Sequence, residues 1–232
     1  MAIIFITGAN KGLGHEAARR LIGLGHTVLV GARDAERGQA AADALGTARF
    51  VRIDVADDAS VDAAAADVAA HEGRIDVLVN NAGITGPHRD PGSLTGADAL
   101  EVLNTNVAGV VRVTSAFLPL LRKSADPAIV NVSSGTGSQA LVHDPSRVES
   151  KVISPLYTAS KAAVTMLTTQ YAKALPDIRV NAADPGYTAT DLNANSGPQT
   201  VTEGTDAIVA LATEGPGAGS GRFVDRFGVV AW

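Results

Sequence analysis

Cysteine is missing from all 232 residues, which excludes disulfide scaffolding, zinc–thiolate sites and thiol nucleophiles together. Positive charge is scarce as well. Nineteen lysines and arginines stand against 24 aspartates and glutamates, giving a formal net charge of −5 and a pI near 5.5. A nucleic-acid binder usually carries a basic face, so that class is set aside, while a local basic pocket for a single phosphate stays open. No uninterrupted apolar run reaches the about 18 residues that span a bilayer. The start, Met1-Ala2-Ile3-Ile4-Phe5-Ile6-Thr7-Gly8, has neither a basic opening nor a long apolar stretch of the signal-peptide kind. The expectation is a soluble, cytoplasmic protein with no membrane or nucleic-acid partner and no metal.

What is present is enough apolar material for a core, at 46% of residues, arranged as short apolar runs alternating with longer amphipathic, alanine-rich segments. That alternation is the pattern of βαβ units around a parallel sheet. Strands are expected at 3–7, 27–31, 48–53, 75–80, 127–132, 178–182 and 222–225, and helices near 13–24, 35–45, 58–72, 95–122, 156–175 and 201–213. Ile3-Ile4-Phe5-Ile6 and Val77-Leu78-Val79 are apolar on both faces, as strands covered by helices on either side must be. Leu13, Ala17, Leu21 and Leu24 make a stripe at helical period. No repeat and no long Pro/Gly-rich hinge divides the chain, so a single α/β domain over 1–232 is expected. Two irregular stretches, about 134–155 and 186–200, follow strands and so emerge at the carboxyl edge of the sheet, where open α/β folds bind ligands.

Two local patterns carry chemistry. Tyr157 and Lys161 lie one helical turn apart on a shared face. An ammonium beside a phenol favours phenolate and lowers the phenol from its usual pKa of about 10 toward the range of a useful general acid or base. At the other end, Thr7-Gly8-Ala9-Asn10-Lys11-Gly12-Leu13-Gly14 joins the first strand to the first helix. Its glycines permit positive φ and close backbone approach, and the helix N-terminus aims N–H groups at an anion. The spacing G-x-x-x-G-x-G departs from the G-x-G-x-x-G dinucleotide fingerprint. The second strand ends at Arg33, and with Lys11 this puts two cations where a 2′-phosphate would lie. Asp34 is the rival reading, an acid for a ribose diol, unless it caps the helix that follows.

With Thr7 to Gly14, Asn80-Asn81-Ala82-Gly83, Asn106-Val107-Ala108-Gly109, Ser133-Ser134, Tyr157 to Lys161, and Pro185-Gly186 with Thr190, the chain resembles the short-chain dehydrogenase/reductase family. Lys11 and Ala32-Arg33-Asp34 look most like its NADPH-dependent carbonyl reductases. The resemblance implies a Rossmann-type, doubly wound, seven-stranded parallel sheet flanked by helices. It implies a catalytic tetrad of Asn106, Ser134, Tyr157 and Lys161. Ser133 and Asn104 are near competitors that the residues alone do not eliminate. For NADPH/NADP+, with NADH the lesser candidate, it implies contacts from Gly8, Asn10, Lys11, Gly12, Leu13, Gly14, Arg33, Asp54, Val55, Asn81, Tyr157, Lys161, Pro185, Gly186, Thr188 and Thr190.

The activity so implied is hydride transfer to a ketone or aldehyde with Tyr157 as proton donor. Lys161 would hold the nicotinamide ribose, and Asn106 would hold a water that links Lys161 to solvent. The same residues run the reverse alcohol oxidation, and a non-catalytic NADPH-sensing protein is the remaining alternative. An apolar substrate pocket is expected from Leu141, Val142, Ile153, Tyr187 and Leu192, with His143 a solvent-facing loop residue. The stretch from Ser134 to Tyr157 is longer than the family's usual spacing. Its extra residues would overhang the substrate and alter the helix face many members use to form tetramers, leaving monomer, dimer and tetramer open.

Overall fold

A computed structural model describes all 232 residues. Its centre is one sheet in the order β3-β2-β1-β4-β5-β6-β7-β8. The strands are β1 (Ile3–Thr7), β2 (Thr27–Ala32), β3 (Arg49–Arg52), β4 (Val77–Asn80), β5 (Ala128–Val132), β6 (Arg179–Ala183), β7 (Phe223–Asp225) and β8 (Gly228–Val229). All neighbours are parallel except β7 and β8, a hairpin whose turn is closed by Asp225 Oδ1 accepting from the Phe227 and Gly228 amides. Each expected strand is present. The eighth was not expected, because two exposed residues show no alternation to read.

Strand alternation sorts the core into two layers. Ile4 and Ile6 of β1 point into one cluster with Val28, Val30, Val77 and Val79, while Phe5 points into the other with Leu29, Leu78 and Phe117. Registers such as Ile4↔Val28 and Ile6↔Val30 keep like-facing residues side by side. The first layer is covered by α1 (Gly12–Gly23), α2 (Ala35–Leu45) and α9 (Asp206–Thr213), and the second by α3 (Asp58–His71) and α5 (Gly109–Leu121). Phe5 and Phe117 stack with centroids 4.5 Å apart, a geometry worth about 0.5–1.5 kcal/mol beyond the area buried.

The remaining helices are α4 (Gly96–Leu103), α6 (Gln139–Val142), α7 (Pro155–Ala174) and α8 (Val201–Gly204). The single helix expected over 95–122 is α4 and α5 joined by a wider π turn, Asn104–Ala108. The one expected over 201–213 is broken at Thr205, whose buried hydroxyl accepts from Arg20. Short helical turns occupy much of 134–155, where Ser138 caps α6 by accepting from the Leu141 amide.

The chain winds outward from β1 through β2 to β3, then returns to place β4 on the other side of β1. The crevice at the carboxyl ends of β1 and β4 is therefore the topological switch point, where such sheets take their ligands.

Candidate active site

The glycine turn leaves β1 at that crevice. Gly8 and Gly12 have φ of 65° and 57°, and Gly14 has no room for a side chain, since a Cβ there would lie 2.5 Å from Asn81 Nδ2. Asn81 donates to the Thr7 and Gly8 carbonyls at 2.8 and 3.2 Å, tying the end of β4 to the turn. No side chain caps the N-terminus of α1, so its first amides face the groove. This cradle, which a Cβ would fill, suits a pyrophosphate. Leu13 packs on the core, so its contribution to the cradle is its backbone.

Beside the turn lies a groove of about 360 Å³ lined by Asn10, Lys11, His15 and Arg37 among others. Arg33 is exposed at its edge of the sheet. Asp34 is engaged elsewhere: it caps α2 by accepting from the Arg37 amide and also pairs with the Arg37 guanidinium, each at 2.9 Å. Asp54 accepts from the Ala56 amide at 3.0 Å in a tight turn. Val55 is buried against Gly109, so its side chain serves packing.

Across the crevice, β5 ends at two serines with different fates. Ser133 is buried and donates to the Lys161 carbonyl at 3.0 Å, fixing α7 on the sheet. Ser134 turns the other way and interacts with the Tyr157 phenol. Its hydrogen bonds run to Thr136. Tyr157 stands in the first turn of α7, with Lys161 Nζ 5.6 Å from its ring centroid. Lys161 is 5% exposed and donates to the Val132 carbonyl at 2.8 Å.

The expected acidification of the phenol is not what these surroundings produce. The residue is half-buried, yet protein packed round the phenol pushes it up to about 12, with Ser134 pulling in the opposite direction and the field of Asp184 adding to the rise. Burial likewise pushes Lys161 down to about 8, partly offset by Asp184. Desolvation disfavours the charged form of each and is the largest cause at both.

Asn106 sits in the π turn. It clamps Ile84 from both sides, accepting from its amide and donating to its carbonyl at 2.8 Å, and it donates to Ser160 Oγ at 2.9 Å. Both amide hydrogens are therefore engaged, and the side chain ties the loop after β4 to α7. Asn104 faces away, bonded to Arg112, which removes it as a competitor. A Cβ on Gly83 would sit 3.4 Å from Asn106 Oδ1 and 3.7 Å from Lys161 Nζ.

After β6, Gly186 has φ 68° and its amide donates to Asp184. Thr188 is buried, its hydroxyl donating to the Pro185 carbonyl at 2.9 Å. Thr190 lies opposite Gly12, and Lys11 Nζ reaches Asp191 at 3.1 Å, so the 186–200 stretch bridges to the glycine turn.

The structure does not gather all the expected apolar residues into one pocket. Leu141 packs with Phe223, Ala182 and Val230, Ile153 projects at 82% exposure, and His143 binds the Gln139 carbonyl at the end of α6. The cavity between the two stretches, about 250 Å³, has 13 lining residues of which three are hydrophobic. Arg147, Glu149, Asp184 and Asp225 line it with Tyr187 and Phe227, whereas Ser134 and Tyr157 do not. Asp184 is the residue that sequence reasoning missed. It is 4% exposed and pushed up by burial, with Glu149 and Asp225 adding to the rise and the Gly186 and Gly135 amides opposing it. A carboxylate ending an otherwise apolar strand, next to Pro-Gly, was the available signal.

No helix is long and apolar enough to cross a membrane, and no group of side chains has the makings of a metal site. The model of the short chain dehydrogenase family matches residues 2–200. Short-chain dehydrogenase anuI of Penicillium roqueforti is 37% identical over 96% of this chain and 93% of its own length. The NADPH-bound carbonyl reductase from chicken fatty liver superposes with a TM-score of 0.89 at 29% identity, covering 100% of this chain and 99% of that one. A 3-ketoacyl-(acyl-carrier-protein) reductase from Brucella melitensis, complexed with NADH, gives 0.85 at 25% identity over 97% and 96%. Family match, sheet order and the meeting of Ser134, Tyr157 and Lys161 opposite a glycine cradle agree: the chain belongs to the short-chain dehydrogenase/reductase family of oxidoreductases.

Proposed function

We propose that this chain reduces a ketone or aldehyde to the alcohol using NADPH, with Tyr157 as the proton donor. The observation that carries the reading is the convergence of Ser134 and Tyr157 with the buried Lys161, at the sheet edge that also bears the glycine cradle. For the cofactor, the support is the division of labour at the second strand: Asp34 is occupied by Arg37 and its helix cap, while Arg33 is an exposed cation and Lys11, exposed as well, is held by Asp191. A 2′-phosphate would be met by positive charge and no free acid.

When bound, the nicotinamide supplies hydride to the carbonyl carbon. As negative charge grows on the carbonyl oxygen, the Ser134 and Tyr157 hydroxyls donate to it, and preorganised donors favour that charge over the ground state. Tyr157 Oη then gives up its proton. Burial raises the phenol, so at neutral pH Tyr157 carries the proton that the carbonyl oxygen takes up. Lys161, near 8, stays mostly protonated at pH 7 and offers its remaining N–H donors to a ribose. Asn106 positions α7, and both its amide hydrogens are already in use.

A panel of ketones and aldehydes followed by NADPH absorbance tests the reading. Tyr157→Phe should lower kcat by about a hundredfold or more, the usual scale of general acid catalysis, while NADPH still binds. Full turnover by that variant would overturn the assignment. Binding of NADPH without turnover of any carbonyl by the native protein would favour a sensing role instead.

A further inference from the structure

We propose that Thr136 is a positioning residue for the reduction, orienting the Ser134 proton toward the substrate oxygen; this rests on the tetrad reading above. Ser134 Oγ has one proton to give and two lone pairs to fill. Thr136 N donates to it at 3.2 Å, and Thr136 Oγ1 lies 3.0 Å from it. The Thr136 hydroxyl has no other partner in the protein, so a bond to Ser134 is the one use it has. With both Thr136 donors on Ser134 Oγ, the acceptor sites are filled and the Ser134 O–H is left to point into the crevice. Charge growing on a substrate oxygen then polarises a chain, Thr136 O–H to Ser134 O–H to oxygen, and each link strengthens the next.

The local backbone explains why the pair meets. Gly135–Gly137 is a single 3₁₀ turn that folds the side chain at 136 back over Ser134. The turn is wedged: a Cβ on Gly135 would lie 2.8 Å from Asp184 Oδ2 and Glu149 Oε1, and one on Gly137 would lie 2.6 Å from the Lys161 carbonyl carbon. The turn is thus seated directly on the helix that carries Tyr157 and Lys161, and Thr136 is held in register with both.

The test is a set of variants read by steady-state kinetics. Thr136→Val keeps the shape and the amide but removes the hydroxyl; Thr136→Ala does so without β-branching, should the valine variant fold poorly. Either is expected to lower kcat about tenfold with KM and NADPH affinity, measured by fluorescence titration, within about twofold of native. Thr136→Ser should restore kcat. In a Ser134→Ala background the loss of the Thr136 hydroxyl should cost nothing further, because its effect passes through Ser134. Native kcat in Thr136→Val and Thr136→Ala alongside a crippled Ser134→Ala would overturn this proposal and leave the tetrad intact. So would a loss that serine does not rescue, or one that adds fully to Ser134→Ala. An unimpaired Ser134→Ala would overturn both readings at once.

Discussion

The proposed cofactor end and the proposed substrate end of the crevice are built from different materials. From Gly8 to Gly14 the working surface is backbone: positive φ at two glycines, a missing side chain at a third, and the open amides of α1. Between 134 and 155 and again from 184 to 199 it is side chains, and those that meet come from distant parts of the chain, as Asp184, Glu149 and Asp225 do. A backbone site tolerates almost no local change but asks little of the rest of the fold. A side-chain site can be respecified residue by residue, and its character emerges only when several segments are brought together.

The sharpest way to break this contrast is at Gly14. A Cβ there meets Asn81 Nδ2 at 2.5 Å, the Gly8 carbonyl oxygen at 2.8 Å and Ala9 Cα at 2.9 Å, two of them backbone atoms that cannot swing aside. Gly14→Val should weaken NADPH binding by about a hundredfold, on the scale of one to three kcal/mol typical of overpacking, with thermal stability falling as well. Unchanged NADPH affinity by titration would mean the turn is an ordinary strand-to-helix connection. Arg33→Ala is the milder test at the same end. Loss of one charge-assisted contact to a phosphate is worth about 1.5–3 kcal/mol, so NADPH should weaken about tenfold while NADH changes little. A preserved NADPH/NADH ratio would remove the basis for the cofactor preference.

The contrast also explains what could be read in advance. The central parallel strands were legible because burial on two faces forces a near-continuous apolar run, as in Ile4-Phe5-Ile6. The glycine turn was legible because positive φ selects glycine itself. The Tyr157 and Lys161 pair was legible because helical spacing is local. Their electrostatics were not: spacing says that the ammonium is near the phenol, but only packing says how much solvent each loses, and desolvation reversed the expected direction. The placement of Leu141 was hidden for the same reason. Leu141 is drawn under the sheet edge against Phe223, a contact that depends on how the 134–155 stretch docks on the last residues, where Ser138 Oγ donates to the Ala231 carbonyl at 2.7 Å.

The smallest expected effect lies at the substrate end, at Asp184, and it asks whether that buried acid serves as an anion or as a neutral group. Its carboxyl accepts from the Gly186 amide at 2.9 Å, which either form can do. Burial, Glu149 and Asp225 all favour the proton, while Arg147, the cation whose field it feels, gives its hydrogen bonds to Glu149. A carboxyl raised in the folded state contributes stability that is complete below its ordinary pKa and is lost as pH rises through the raised value. Asparagine resembles the protonated acid, can accept from Gly186 through Oδ1, and has no proton to lose. Asp184→Asn should therefore match the native protein in acid and exceed it toward neutral pH. The gap, on the order of 1 kcal/mol for a buried group of this kind, corresponds to about 2–4 °C in Tm for a chain of this size. Thermal melts from acid to neutral pH measure it directly. If the native protein instead gains on the variant as pH rises, Asp184 works as an anion balanced by Arg147, and the cavity beside Gly186 is a charged site in which the ion pair, not a protonated acid, sets the character.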